Sequence, residues 1–161
     1  VTWGEDECGD STAVQNRLRN VQQISASDDA FAAILADGSV VTWGEADFGG
    51  DSTAVQDRLR NVQQISASTG AFAAMLADGT VATWGPDRFG GVSSPVQHKL
   101  RNVQLLCATT CAFAAILADG TVVTWGAAQS GGDSTAVKDQ LRNVQQICAN
   151  HRCFAALLED G

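Results

Sequence analysis

The sequence predicts an all-β molecule of repeated antiparallel sheets that stack or radiate against one another, and three observations predict it. The first is a fixed period. Trp3, Trp43, Trp84 and Trp125 each precede a glycine at spacings of 40, 41 and 41, and Leu18, Leu59, Leu100 and Leu141 each open the run Leu-Arg-Asn-Val-Gln at a spacing of 41. Self-similarity at this period marks a repeat architecture, in which one unit is one supersecondary element. The second is the recurrence of Asp37-Gly38, Asp78-Gly79, Asp119-Gly120 and Asp160-Gly161 at one place in every unit. The third is that short apolar runs flank each Asp-Gly, which is a strong local hairpin signal because glycine supplies the positive φ of a tight turn. The 161 residues therefore divide into units of about 1–40, 41–81, 82–122 and 123–161 of a single repeat domain.

Within the second unit the elements follow in order. The run Val62-Gln-Gln-Ile65-Ser-Ala reads as a first strand, A, and Ser68-Thr69-Gly70 turns the chain into strand B, Phe72-Ala-Ala-Met-Leu. Asp78-Gly79 then leads into strand C, Val81-Ala-Thr-Trp84. The connecting residues 49–61 start with two glycines and a run of Asp, Ser and Thr, good helix N-cap residues, and end in helix-tolerant residues. One or two helical turns are expected there, and Pro95, which replaces Ala in the third unit, falls near the first turn where proline is tolerated.

Strand B sets the packing. In Phe31-Ala-Ala-Ile-Leu and Phe113-Ala-Ala-Ile-Leu the alternation places apolar side chains on both faces, so the strand is expected to be covered on both sides. Small alanines let neighbouring sheets approach closely, and the strand C tryptophan contributes a large share of the buried area. No unit buries its faces alone, so stability is expected to be a sum over neighbour interfaces.

The register of Asp37-Gly38-Ser39-Val40-Val41-Thr42-Trp43-Gly44, with the glycine-rich loop after it, resembles the repeat of the regulator-of-chromosome-condensation family; large HECT-class ubiquitin ligases carry similar repeats. The resemblance covers all four units. It implies a β-propeller-like array of four blades of about 41 residues, each with three or four antiparallel strands and a short helical turn. The family's blades are longer and its rings contain more of them. The family also tends to place Gly and then His before strand B, where this chain has Ser27 and Ala30, Ser68 and Ala71, Thr109 and Ala112, Asn150 and Cys153, so a histidine tie is missing. The chain opens on Val1-Thr2-Trp3-Gly4, a strand C, and its last residues are the end of a strand B and half its turn. The N-terminal strand is therefore expected to complete the last blade and close the ring, which would remove exposed sheet edges; the competing expectation is an arc of a longer array.

Composition excludes several function classes. Lys plus Arg is 10 against 18 Asp plus Glu, a net charge of −8, which disfavours nucleic acid and anionic membrane surfaces as partners. Uncharged stretches such as residues 103–118 fall short of a membrane helix, so direct membrane insertion is not expected, although a membrane-bound complex remains open as a partner. Catalytic constellations are missing: His98 lies at a variable polar position, the Gly-Gly pairs precede Asp or Val rather than a phosphate cradle with Lys, and the turn acids read as solvated. No catalytic residue and no cofactor are assigned.

Strand direction places the A–B turns and the loops after Trp-Gly at one end of the sheets, with all five cysteines. Cys107 and Cys148 occupy the small-residue position of Ser25 and Ser66. A second reading pairs Cys107 with Cys111, or Cys8 with Cys148 or Cys153, in a disulfide. A third gathers Cys107, Cys111, Cys148, His151 and Cys153 around zinc, because thiolate and imidazole suit that ion, although the spacing matches no standard module. The opposite end carries Arg58, Arg60 and their counterparts, either as a docking face for an acidic partner or as ion pairs with the turn aspartates.

Units that agree in their framework differ at Asp28-Asp29, Thr69-Gly70, Thr110-Cys111 and His151-Arg152, and again in the loops that carry Phe48 and Phe89. Variable loops on a repeated scaffold are where binding specificity is placed. The sequence thus favours a non-enzymatic protein-interaction scaffold or a subunit of a larger complex, with Phe48, Phe89, Arg58 and Arg60 as partner contacts. The family resemblance adds guanine-nucleotide exchange as an alternative, and the cysteine end adds a thiol- or metal-responsive binding module.

Overall fold

The computed structural model describes residues 2–3 and 10–160. Three sheets have three antiparallel strands each, in the order of the chain: β1 (Val21–Ala26), β2 (Ala30–Leu35) and β3 (Val40–Gly44); β4 (Val62–Ala67), β5 (Phe72–Leu76) and β6 (Val81–Trp84); β7 (Val103–Ala108), β8 (Ala112–Leu117) and β9 (Val122–Gly126). A fourth sheet contains β10 (Val144–Ala149) and β11 (Phe154–Leu158). Strands A, B and C thus form in the first three sheets, and A and B in the fourth, as the apolar runs and Asp-Gly turns require. Every strand A carries the same irregularity, between Val21 and Gln23 in the first unit and at the matching places in the others. This bulge shifts one residue without a partner and sharpens the local twist.

Faces of successive sheets interlock. Ala32, Ile34 and Val40 of the first sheet share a core with Ile65, Phe72, Ala74 and Trp84 of the second. Ala73 and Val81 of the second meet Leu106, Phe113 and Trp125 of the third, and Ala114 and Ile116 of the third meet Val144 and Ile147 of the fourth. The strand B alanines of the first three sheets are almost completely buried, which permits this close approach. A latch joins units at the Asp-Gly end, where Val62, Val103 and Val144 donate N–H to the carbonyls of Gly38, Gly79 and Gly120 at 2.9 Å. Gly79, at φ +75°, lies so close to the next unit that a Cβ would stand 2.9 Å from the Asn102 Cα. Asn102 itself adopts φ +53°, the left-handed conformation that asparagine tolerates.

The connecting segments form the expected helical turns as short 3-10 turns, Thr53–Arg58 being the longest, but their serines do not cap them. Ser52, Ser93 and Ser134 instead bond the strand C hydroxyls of Thr42, Thr83 and Thr124 at 2.9 Å, and Asp51 and Asp133 accept the backbone N–H of Thr53 and Thr135. The N-terminal strand does not close the last blade. Trp3 is 87% exposed, Thr2 and Trp3 lie in no strand, and the fourth sheet keeps two strands among the described residues. Thr2 bonds Ser11 at 2.8 Å, the same contact the other units make between strand C and the following segment, so the opening residues stay with their own unit. Val1 and Gly4 lie outside the described residues. No helix among the described residues is long and apolar enough to cross a membrane.

Candidate functional site

The A–B turns of the four units stand side by side and are tied by their backbones. Asp28 donates N–H to Thr69 O at 2.9 Å, Thr69 to Thr110 O at 2.9 Å, and Thr110 to His151 O at 3.1 Å. The Thr110 hydroxyl adds a second bond to His151 O at 2.7 Å. Each turn is also braced from within its unit. Ser27, Ser68 and Thr109 donate their hydroxyls to Phe48 O, Phe89 O and Ser130 O at 2.8–2.9 Å, and accept the N–H of Ala30, Ala71 and Ala112 at 3.0–3.1 Å. A hydroxyl thus supplies the polar tie between turn and loop that no histidine supplies here. Asn150 departs from this pattern, its side chain accepting the N–H of Arg152 and Cys153.

The result is a rim with a fixed backbone and changing side chains, around a shallow concavity of about 310 Å³. Asp28 is exposed at the first unit, Thr69 and Thr110 follow, and His151 and Arg152 are exposed at the fourth. The rim therefore runs from acidic to basic. Nothing in the sequence names the ladder directly, although a hydroxyl at positions 27, 68 and 109, one period apart, is its visible trace.

Phe48 and Phe89 are half-buried and stack on each other with ring centres 5.9 Å apart, so the loops that follow the first and second sheets touch. The Arg88 guanidinium lies 4.6 Å from the centre of the Phe89 ring. At the opposite end Arg58 and Arg60 are exposed, and Arg58 donates to Val81 O at 2.8 Å, which links a connecting segment to strand C of the next unit. The turn aspartates do not pair with these arginines. Asp37, Asp78 and Asp119 accept from the hydroxyl and N–H of Ser39, Thr80 and Thr121, and the one ion pair among the described residues is Arg142 with Asp139 at 3.8 Å, both exposed. His98 is exposed.

Cys107 and Cys148 take the register positions of Ser25 and Ser66, opposite Ala114 and Ala155. Cys107, Cys111, Cys148 and Cys153 are free thiols in this structure, and Cys8 lies outside the described residues. Burial pushes the Cys107 thiol above its ordinary range, and the neighbouring Cys148 adds to the shift, against a backbone hydrogen bond from Ala108. Among the described residues no three His, Cys, Asp or Glu side chains gather closely enough to hold a metal ion.

No family model matches this sequence, and no curated protein matches it. Solved structures do. The chain is 23% identical to Saccharomyces cerevisiae Prp20p, described with its binding to Gsp1p and histones, with a TM-score of 0.61 over 88% of this chain and 42% of that one. Yeast RCC1 (Prp20), solved bound to Kap60, gives 21% identity and a TM-score of 0.61 over 88% of this chain and 40% of that one. Human WBSCR16 gives 18% identity and a TM-score of 0.57 over 87% of this chain and 46% of that one. This chain spans less than half the length of each. Its fold is that of RCC1-like β-propeller repeats.

Proposed function

We propose that this chain is a non-enzymatic protein-interaction module that docks a protein partner on the rim of A–B turns. One observation carries the reading: a backbone ladder holds Asp28, Thr69, Thr110 and His151 in fixed register while their side chains change from unit to unit. A preorganised backbone lowers the ordering cost of association, and changing side chains supply the specificity. The acidic-to-basic gradient selects a partner of opposite polarity. The stacked Phe48 and Phe89 border this rim through the Ser27 and Ser68 bonds, whereas Arg58 and Arg60 face the opposite end as a secondary contact. Yeast RCC1 (Prp20), which shares this fold, is solved bound to Kap60, which supports a protein as the class of partner.

The test is capture of partners by the intact chain under mild conditions. Thr69→Lys, which places a charge at the neutral centre of the rim, should lower recovery of specific partners by about tenfold or more. Arg58→Glu with Arg60→Glu should change it far less. Equal recovery by Thr69→Lys, with an unchanged circular dichroism spectrum, overturns the reading.

A further inference from the structure

The concavity of about 310 Å³ between the four A–B turns carries an uneven set of side chains. Ala26, Ala67 and Ala108, in matching register at the ends of β1, β4 and β7, keep it free of bulk. Most of its polar side chains are already used. The Ser27, Ser68 and Thr109 hydroxyls brace the loops, the Thr110 hydroxyl bonds His151 O, and Asn150 Oδ1 accepts two N–H groups of its own turn. Three side chains of the lining make no hydrogen bond or ion pair among the described residues: the Asp28 carboxylate, the Thr69 hydroxyl and the His151 imidazole. Asp28 is the one carboxylate of the lining, and no lysine or arginine belongs to it. The Asp28 N–H bonds Thr69 O at 2.9 Å, so the carboxylate and the unused hydroxyl stand on turns tied directly to each other.

We propose that this concavity receives one cationic side chain of the protein partner, a lysine or arginine whose charged head meets the Asp28 carboxylate and the Thr69 hydroxyl; the proposal rests on the docking reading of the rim. Pockets for separate small ligands start at about 300 Å³, so this shallow space suits a single side chain of a larger partner. Long basic side chains lay an apolar stem along a surface while the head stays among polar groups, and the alanines leave room for such a stem.

Charge decides between occupants. Asp29 adjoins Asp28 in sequence, and Glu45 and Asp47 belong to the loop tied to this turn by the Glu45 N–H to Asp29 O at 2.9 Å and the Ser27 hydroxyl to Phe48 O at 2.8 Å. None of these carboxylates is ion-paired among the described residues. An anionic group meets repulsion at this wall, and a neutral one leaves Asp28 unused. A metal ion needs more ligands than one carboxylate and one hydroxyl supply, and among the described residues no three candidate ligands gather. Because the carboxylate lies at one end of the concavity only, the cationic residue also fixes which way the partner lies across the rim.

The test is a nuclear magnetic resonance titration of the intact chain with a short blocked peptide carrying one central lysine, and with the same peptide carrying arginine, norleucine or glutamate there. The lysine and arginine peptides should shift the Asp28 and Thr69 amide signals saturably at millimolar concentration. Norleucine, which keeps the stem and loses the charge, and glutamate should bind about tenfold more weakly or less. Asp28→Asn keeps the shape of an exposed side chain and should weaken the cationic peptides by about tenfold. Asp57→Asn, the same charge change on an exposed residue of a connecting segment, should alter them less than about twofold. The proposal is overturned if the cationic peptides give no saturable shift at these amides, if norleucine binds equally, if Asp28→Asn binds as the wild type does, or if both asparagine variants weaken binding alike. The two readings fail separately. Partner capture lost in Thr69→Lys but unchanged in Asp28→Asn overturns the cationic contact alone, whereas saturable peptide binding with capture unchanged in Thr69→Lys overturns the docking reading alone.

Discussion

Tryptophan shows how much a single side chain depends on its neighbours in this molecule. Trp43, Trp84 and Trp125 are about equally buried and equally stacked, yet their indoles differ. Trp84 and Trp125 donate to a glycine carbonyl of the preceding unit at 3.0 Å, whereas the buried Trp43 indole N–H has no partner among the described residues. The matching carbonyl belongs to Gly9, which lies outside them. Replacement by phenylalanine removes similar volume at all three sites, so the cavity cost is common to all. The remainder is the acceptor left unpaired, which costs about 1–3 kcal/mol when buried. Trp84→Phe and Trp125→Phe should therefore each destabilise the protein by about that much beyond the common cavity cost, measured by urea denaturation at constant m. The repeated Trp-Gly was legible in the sequence; the indole bonds of Trp84 and Trp125 were not, because each partner lies 35 residues away in another unit.

The Asp-Gly turn is the element whose chemistry the sequence disclosed best. Glycine at φ +76°, +75° and +73° confirms the hairpin, and the aspartate before it is held by the hydroxyl two residues on. That hydrogen bond is the largest cause holding the carboxyls of Asp37, Asp78 and Asp119 below the usual carboxylate value, and the backbone N–H adds to it; Asp10, Asp51 and Asp133 are held down by Thr12, Thr53 and Thr135 in the same manner. A carboxyl whose pKa is lower in the folded chain than in the unfolded one contributes stability that is fully present above the unfolded value of 3.8 and disappears as pH falls through the lowered value. Thr80→Val removes the main donor. The Asp78 carboxyl should then titrate nearer 3.8 by NMR, and the variant should be less stable than the wild type at neutral pH while the hydrogen-bond part of that difference vanishes at strongly acidic pH. The connecting segments were less legible, because Ser and Thr beside a glycine fit a helix cap and a side-chain bond to strand C equally well. Tertiary contact with Thr42, Thr83 and Thr124 selected the second.

At the scale of the whole molecule, stability is a sum over unit interfaces, so the inner units are better protected than the outer ones. β5 and β8 lie between two sheets and are mostly buried, whereas Ala155, Ala156 and Leu157 of β11 and most of β1 are exposed. Amide exchange should be slowest in β5 and β8, and faster by about tenfold or more in β1 and β11. Equal protection across all four sheets would contradict an open array. The rim of A–B turns was legible only in part. The variable residues were visible as variation, but the ladder that fixes them joins positions a full unit apart and needs neighbouring sheets in place.

The sequence alone determined the period, the strands A, B and C of the first three sheets, the tight turns and the apolar character of both sheet faces, because each depends on residues within a few positions of one another. Only the tertiary structure decided which hydroxyls brace which loops, that the turn aspartates bond their own turns rather than arginines, and that Trp3 stays apart from β11. Those outcomes are set by competition between partners distant in sequence. The terminal case is the clearest, since the strand pattern of Thr2-Trp3 fits pairing with β11, and only its position beside Ser11 shows the two apart.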